Sequence, residues 1–217
     1  ASMKPKKQNT DFWSKMLDRR QLLKTLGVAG SVMAFSGPRG LAEAMGQVSS
    51  VEAAERSATA NAATGEIPKR TLGKTGVQVS ALCFGGAHWG RMESEAEAIR
   101  VLHEALEAGV TFLDNAWEYN GGRSEELMGK ALQGRRQQAF LMTKVCSHGR
   151  DKRVALQQLD ESLRRLRTDY LDLWQIHECV YYNDPERHLA PGGVVEALAR
   201  AKTQGKVRFV GFTGHKD

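Results

Sequence analysis

Thr111-Phe112-Leu113-Asp114-Asn115-Ala116-Trp117-Glu118-Tyr119 is the stretch whose reading decides the fold. Its first residues read as a short buried strand that stops at a carboxylate, Asp114. Five residues on comes Tyr119, then the turn Asn120-Gly121-Gly122 and Ser124-Glu125-Glu126, a good opening for a helix. The pattern recurs. Ala139-Phe140-Leu141-Met142-Thr143-Lys144 is an apolar strand ending on a lysine, and Leu171-Asp172-Leu173-Trp174-Gln175-Ile176-His177 ends on a histidine. Three successive strands thus finish on an ionisable residue, with helical segments between them. In a parallel barrel such ends gather on one face, where these folds carry their chemistry.

Working outward, Ala81-Leu82-Cys83-Phe84-Gly85 reads as the first core strand. Ahead of it, residues 69–73 and 77–80 flank Lys74-Thr75-Gly76 as a hairpin. Ala98, Ile99, Leu102, Ala105 and Leu106 form a helical stripe closed by Gly109. Leu127, Met128, Ala131 and Leu132 form a second before Gly134, and Leu156, Leu159, Leu163 and Leu166 a third. Residues 178–192 read as a loop. Val194, Val195, Leu198 and Ala201 mark a fourth helix closed by Gly205, and residues 207–213 a fifth strand. Such alternation means parallel strands joined by right-handed crossovers. A (β/α)8 TIM barrel needs eight units and about 250 residues. The expectation is therefore an α/β fold in which residues 67–217 supply a hairpin and five of the eight strands, truncated at the C-terminus. An unusual open sheet is the other option.

Composition narrows the class. The 217-residue chain has room for one domain with a real core. Its net charge of +6 is concentrated: residues 1–44 hold eight Lys or Arg against three Asp or Glu, which is five of the six net charges. The remainder is nearly neutral, so the charge balance does not support a polyanion partner such as nucleic acid. Cys83, Cys146 and Cys179 lack the spacing of a metal knuckle or a redox dithiol, so neither a metal site nor a disulfide framework is expected. Cys83 and Cys146 are expected as buried free thiols. Cys179 follows His177 closely enough to border a pocket.

The basic N-terminus has its own reading. Ala1-Ser2 ahead of Met3 is set aside as an expression scar. Arg19-Arg20 precedes the moderately apolar run from Leu26 to Phe35, and Ala42-Glu43-Ala44 then fits a small-x-small cleavage pattern. In that order the parts resemble a twin-arginine export signal over residues 1–44. The expected partner is the twin-arginine export machinery, and the destination the periplasm or cell envelope. A basic amphipathic helix on a cytoplasmic protein is the alternative. The apolar run is too short for a permanent membrane span. Residues 45–66, rich in Ala, Ser, Thr and Glu, read as a linker in which Ala60-Asn61-Ala62 offers a second cleavage pattern.

Several segments in order carry a family likeness. They are Leu72-Gly73-Lys74-Thr75-Gly76-Val77-Gln78-Val79-Ser80, Phe112-Leu113-Asp114 through Tyr119, and Ser124-Glu125-Glu126-Leu127-Met128-Gly129-Lys130-Ala131-Leu132. Thr143-Lys144-Val145 follows, then Thr168-Asp169-Tyr170-Leu171-Asp172-Leu173-Trp174-Gln175-Ile176-His177 and Gly205-Lys206-Val207-Arg208-Phe209-Val210-Gly211. Together, residues 71–212 resemble the N-terminal part of the aldo-keto reductase superfamily. That resemblance implies a catalytic tetrad of Asp114, Tyr119, Lys144 and His177. It implies cofactor contacts at Gly86, Asp114, Thr213 and Gly214, and substrate contacts at Tyr119 and His177. Trp89, at the end of the first strand, reads from that position as a further substrate contact, with a surface aromatic as the equal alternative. NADP(H) is expected ahead of NAD(H), and a small carbonyl compound as substrate.

The implied reaction is hydride transfer from a reduced nicotinamide to an aldehyde or ketone. Negative charge growing on the carbonyl oxygen then needs a proton. A free phenol releases its proton only near pH ~10, and a cation beside it favours the phenolate. Tyr119 would be the acid, Lys144 that cation, Asp114 the partner that holds Lys144, and His177 the group that orients the carbonyl. Taken singly, each residue has an ordinary rival role: a turn aspartate, a lysine reaching water, a packing tyrosine, a satisfied core histidine. Many members carry Ser-Asn where this chain has Thr213-Gly214, and Gly214 has no side chain to offer a carboxamide. The alternatives to an enzyme are a cofactor-binding regulatory subunit with vestigial activity and an inactive fragment. An oligomer is compatible with either.

Overall fold

The computed structural model describes residues 66–146 and 151–214. The export-signal reading of residues 1–44 and nearly all of the 45–66 linker lie outside the described residues. The hairpin forms as expected: β1 (Lys69–Thr71) pairs antiparallel with β2 (Gln78–Ser80), Arg70 opposite Val79. One turn of 3₁₀ helix, Gly73–Thr75, connects them, and Gly76 follows at φ 72°. Ser80 anchors this hairpin to the sheet. Its hydroxyl accepts the N–H groups of Thr111 and Phe112, both at 3.0 Å.

The main sheet has five parallel strands, β3 (Cys83–Gly85), β4 (Phe112–Asp114), β5 (Phe140–Val145), β6 (Leu171–Ile176) and β7 (Val207–Phe212). They lie side by side in chain order, with Gly85 opposite Asp114, Asp114 opposite Met142, and Lys144 opposite Gln175. A doubly wound sheet would reverse its strand order part-way. Here it never reverses, so same-handed crossovers put every helix on one face. Those helices are α1 (Gly86–Trp89), α2 (Glu95–Glu107), α3 (Arg123–Ala131), α4 (Lys152–Leu166), α5 (Asp184–Leu189) and α6 (Val194–Thr203). This is the winding of a (β/α)8 barrel, and the fold expectation holds for the described part.

Burial shows the same asymmetry. Leu113, Leu141, Val145, Trp174 and Ile176 point to the helices and are buried with Leu102, Leu127, Met128, Leu159 and Leu198. The opposite face, lined by Cys83, Leu173, Gln175, Phe209 and Gly211, is half-buried or exposed. Phe140 is the floor of that face, edge-on to Phe112 at 5.4 Å and stacked on Phe209 at 6.3 Å. At the start of β6, buried Asp172 accepts bonds from Arg136, from Arg208 of β7 and from the Leu141 N–H of β5. Among the described residues no helix is long and apolar enough to cross a membrane.

Three local expectations change. The 178–192 loop contains α5, which starts where Asp184 accepts the Val180 and Tyr181 N–H groups (2.8 Å each), with proline at its first turn. Ser124 does not cap α3. Gly122 holds the cap position, and the Ser124 hydroxyl turns inward to donate to Gly86 O at 2.9 Å. Cys83 is exposed rather than buried, because strand alternation turns it away from Phe84, which packs with Trp89. Cys146 is buried as expected.

Helices α3 and α4 meet at Gly129 with no room for a side chain. A Cβ there would collide with the Arg165 carbonyl oxygen and stand 2.7 Å from the Leu166 carbonyl carbon. Gly→Ala within a helix normally gains up to about 1 kcal/mol. Here the obstacle is backbone that no rotamer change can clear, and overpacking costs roughly 1–3 kcal/mol. Gly129→Ala is therefore expected to lower the urea midpoint of unfolding, and a raised midpoint would refute this account of the α3–α4 contact.

Candidate active site

Four of the residues singled out in the sequence converge at the C-terminal ends of β4, β5 and β6. Leu113 and Thr143 face the helices, so alternation turns Asp114 and Lys144 to the open face. The Lys144 side chain is only 4% exposed. Its ammonium donates to Asp114 Oδ1, to the Asn115 carbonyl at 2.8 Å and to Tyr119 Oη at 3.2 Å. A lysine has three N–H donors, and each finds an acceptor here. The same nitrogen lies 4.8 Å from the centre of the Tyr119 ring.

His177 completes the group. Its ring meets that of Tyr119 edge-on, with centroids 5.8 Å apart. Its backbone N–H bonds to Val145 O, and Nδ1 lies 3.1 Å from Thr213 Oγ1. Nε2 faces Glu118 Oε1 at 3.5 Å. The result is a phenol flanked by an ammonium and an imidazole, with a carboxylate behind the ammonium. This arrangement can hold a carbonyl oxygen and hand it a proton. No side chain here can give or store a hydride, so the donor set suits a reduced nicotinamide partner. Among the described residues no group of three or more His, Cys, Asp or Glu is arranged to hold a metal ion.

The other expected residues fare differently. Gly86 is buried where a Cβ would press Ser124 Oγ at 2.7 Å and the Asp114 carbonyl at 3.0 Å, so close packing accounts for the glycine. The Thr213 hydroxyl, expected to face a carboxamide, already accepts the Glu178 N–H at 3.0 Å while it pairs with His177. Gly214 lies against the Cys179 carbonyl. Trp89, expected as a substrate contact, is packed as a core residue. It is 6% exposed, and its indole N–H bonds to Ala98 O at 2.9 Å. Strand-end position alone suggested the substrate role, and it missed the short helix α1 that folds the indole back against Phe84. On the open face, the Cys83 thiol is pushed up to about 11, by desolvation first and by the Asp114 carboxylate second, with Lys144 pulling it down. It is held as the neutral thiol at pH 7.

Sequence reasoning passed over Glu118, the carboxylate opposite His177, and also Glu125. Read as one acid of a helix opening, Glu125 is wholly buried. It accepts Thr143 Oγ1 at 2.7 Å and Arg165 Nη1 at 3.2 Å. A signal for it was present, since it shares the i, i+3, i+7 stripe with Met128 and Leu132, an odd place for a carboxylate.

The chain is similar to known proteins. Residues 81–216 match the model of the Aldo/keto reductase family. L-galactose dehydrogenase of Arabidopsis thaliana is 34% identical over 161 residues, which cover 69% of this chain and 49% of that protein. Among solved structures, an aldo-keto reductase from Bacillus halodurans in its holo form superposes with a TM-score of 0.60 at 36% identity, covering 69% of this chain and 51% of that one. An aldo/keto reductase from Klebsiella pneumoniae in complex with NADP and acetate gives a TM-score of 0.56 at 29% identity, covering 63% and 46%. The chain thus spans about half the length of the proteins it matches.

Glu125 makes this neighbourhood sensitive to pH. Burial pushes its carboxyl above the ordinary value of 4.5, against the bonds from Thr143 and Arg165 that pull it down. The folded chain therefore keeps this proton to higher pH than the unfolded chain does. The resulting contribution to stability is full below 4.5 and is lost as pH rises through the raised value. Glu125→Gln cannot ionise and is expected to flatten that decline. Urea unfolding of both proteins from about pH 4 to about pH 8 measures it. A wild-type stability that climbs relative to the variant over this window would contradict the sign.

Proposed function

The chain belongs to the aldo/keto reductase family, and from that premise we propose that the protein reduces an aldehyde or ketone to an alcohol with a nicotinamide cofactor. The observation that carries the proposal is the single ammonium of Lys144, bonded to both Asp114 and Tyr119 beside the His177 ring. A bound reduced nicotinamide supplies the hydride. The chain's own residues manage the charge and the proton.

In this reading the phenol hydroxyl of Tyr119 and the imidazole of His177 bind the carbonyl oxygen. As charge builds on that oxygen, Tyr119 Oη donates its proton, and the Lys144 ammonium stabilises the phenolate left behind. Asp114 keeps the ammonium in place, so the field is fixed before the reaction starts. The buried face behind Lys144 keeps water from weakening it. NADP(H) is the proposed cofactor ahead of NAD(H). The NADP complex of the Klebsiella relative supports that choice. Export by the twin-arginine route remains part of the proposal, motivated by Arg19-Arg20, the apolar run after them and Ala42-Glu43-Ala44.

Cofactor oxidation by the full-length protein against a panel of aldehydes and ketones tests the reading. Tyr119→Phe is expected to cut kcat by roughly 10²–10⁴-fold, the usual worth of a positioned general acid. Cofactor affinity should stay near the wild-type value, because the phenol acts on the carbonyl. Lys144→Met should lower kcat and also alter its pH profile, since it removes the charge beside the phenol. Wild-type turnover retained by Tyr119→Phe would reject the assigned role. A full-length protein that binds cofactor yet reduces no carbonyl would reject the enzyme reading.

A further inference from the structure

The loop that carries Tyr119 is unusual backbone. Directly after the tyrosine, Asn120, Gly121 and Gly122 all take left-handed conformations, with φ of 55°, 63° and 93°. Asparagine and glycine tolerate that region, but the two glycines are as free to leave it as to stay, so the loop's shape is not fixed by its own residues. Some outside support is required. Asn120 gives part of it, donating from its side chain to Ala87 O at 2.9 Å, and Trp117 N–H bonds to Lys144 O at 3.1 Å.

Backbone bonds from Tyr119 N–H to Ala116 O and from Gly121 N–H to Glu118 O, both 3.1 Å, add to it, and further support comes from one side chain on α4. Arg165 donates from Nη1 to the Trp117 carbonyl at 2.9 Å, two residues before Tyr119. Its guanidinium lies under the Trp117 ring, 5.2 Å from the centre. Three residues after Tyr119, the same guanidinium occupies the space over Gly122. A Cβ there would stand 2.5 Å from Arg165 Cζ and 2.7 Å from Nη1. Arg165 thus touches the loop on both sides of the tyrosine. Arg165 is itself held by buried Glu125 at 3.2 Å and by Glu161, one turn earlier on α4, at 3.7 Å. Glu161 also accepts the Trp117 indole N–H at 2.8 Å.

A simple staple between α3 and α4 would need only the Glu125–Arg165 bond. The bond to Trp117 O joins neither helix to the other, and the contact under Gly122 falls where the tyrosine's loop runs into the cap of α3. We propose that Arg165, fixed by Glu125, is the positioning residue that sets where the Tyr119 hydroxyl stands relative to Lys144 and His177. The inference rests on the reading of Tyr119 as proton donor.

Two variants test it, each first checked for folding by circular dichroism. Arg165→Met removes the guanidinium. Should that variant fail to fold, Arg165→Lys keeps a cation near Glu125 without the flat fork. In folded variants kcat for carbonyl reduction is expected to fall about tenfold or more with KM little changed, as small misplacements of a reacting group do. A second readout needs no turnover. In the full-length protein, 3-fluorotyrosine labelling gives fluorine resonances that include those of the four tyrosines in this chain, and Tyr119→Phe identifies the one from Tyr119. That resonance should move in the folded variants while those of Tyr170, Tyr181 and Tyr182 stay. If the wild type reduces no carbonyl, the proposed function fails on its own and the fluorine spectrum still decides the positioning role. Folded variants with an unmoved Tyr119 resonance, or with wild-type kcat, would overturn it.

Discussion

A lone buried ammonium is among the most expensive groups a protein can keep, and the described part of this chain is arranged so that Lys144 is never alone. Removing a cation from water costs several kcal/mol even after relaxation. That cost is offset only if every N–H meets an acceptor of good geometry. The acceptors here come from the end of β4, from the next backbone carbonyl and from the loop beyond it. All three require β4 and β5 in one register, with Asp114 opposite Met142 and Lys144 one pleat further along. The same bonds that make the cation tolerable also bring a phenol to it. Stability and chemistry draw on one contact, so a slip in pairing would damage both.

The two faces of the sheet divide the labour. The face under the helices is dry and tightly packed, around Trp174, Leu141 and Leu159. The other face is partly open and presents Asp114, Lys144 and then His177 along successive strands. A parallel sheet buried on both faces reads as continuous apolar runs. These strands break that rule at their ends, where apolar periodicity gives way to an ionisable residue. The glycines have a complementary part. Gly86 and Gly129 are places where backbone and side chain come too close for a Cβ, and they let α1 and α4 approach the elements they pack on.

Much of this was legible in the sequence, and the reason is local. Strand ends, helix stripes and the hairpin are short-range patterns, and five parallel strands followed from their alternation with helices. The four residues Asp114, Tyr119, Lys144 and His177 were legible because each closes such a pattern. What escaped was set by tertiary contact. Arg165 sits on a charged helix where nothing in sequence separates it from Arg164, yet only the fold brings it under Gly122. Trp89 was misjudged because a four-residue helix, too short to show a period, turns it inward. Ser124 looked like a cap because its type suits one, but a left-handed Gly122 took that place and freed the hydroxyl for Gly86.

Strand β6 carries His177 at one end and Asp172 at the other, and the lower residue bears on the upper one. Asp172 is bonded on both flanks, to the Leu141 N–H of β5 and to Arg208 of β7, with Arg136 as a third partner. A strand advances about 3.3 Å per residue, and slippage that preserves its faces must occur in steps of two. Such a step would carry His177 about 6.6 Å along the sheet, out of contact with the tyrosine ring. It would also strip a buried carboxylate of its partners on both sides, which the interior tolerates poorly. The anchor at the foot of the strand therefore works as a detent, and the imidazole at the top inherits its axial position from an ion pair at the far end of the sheet.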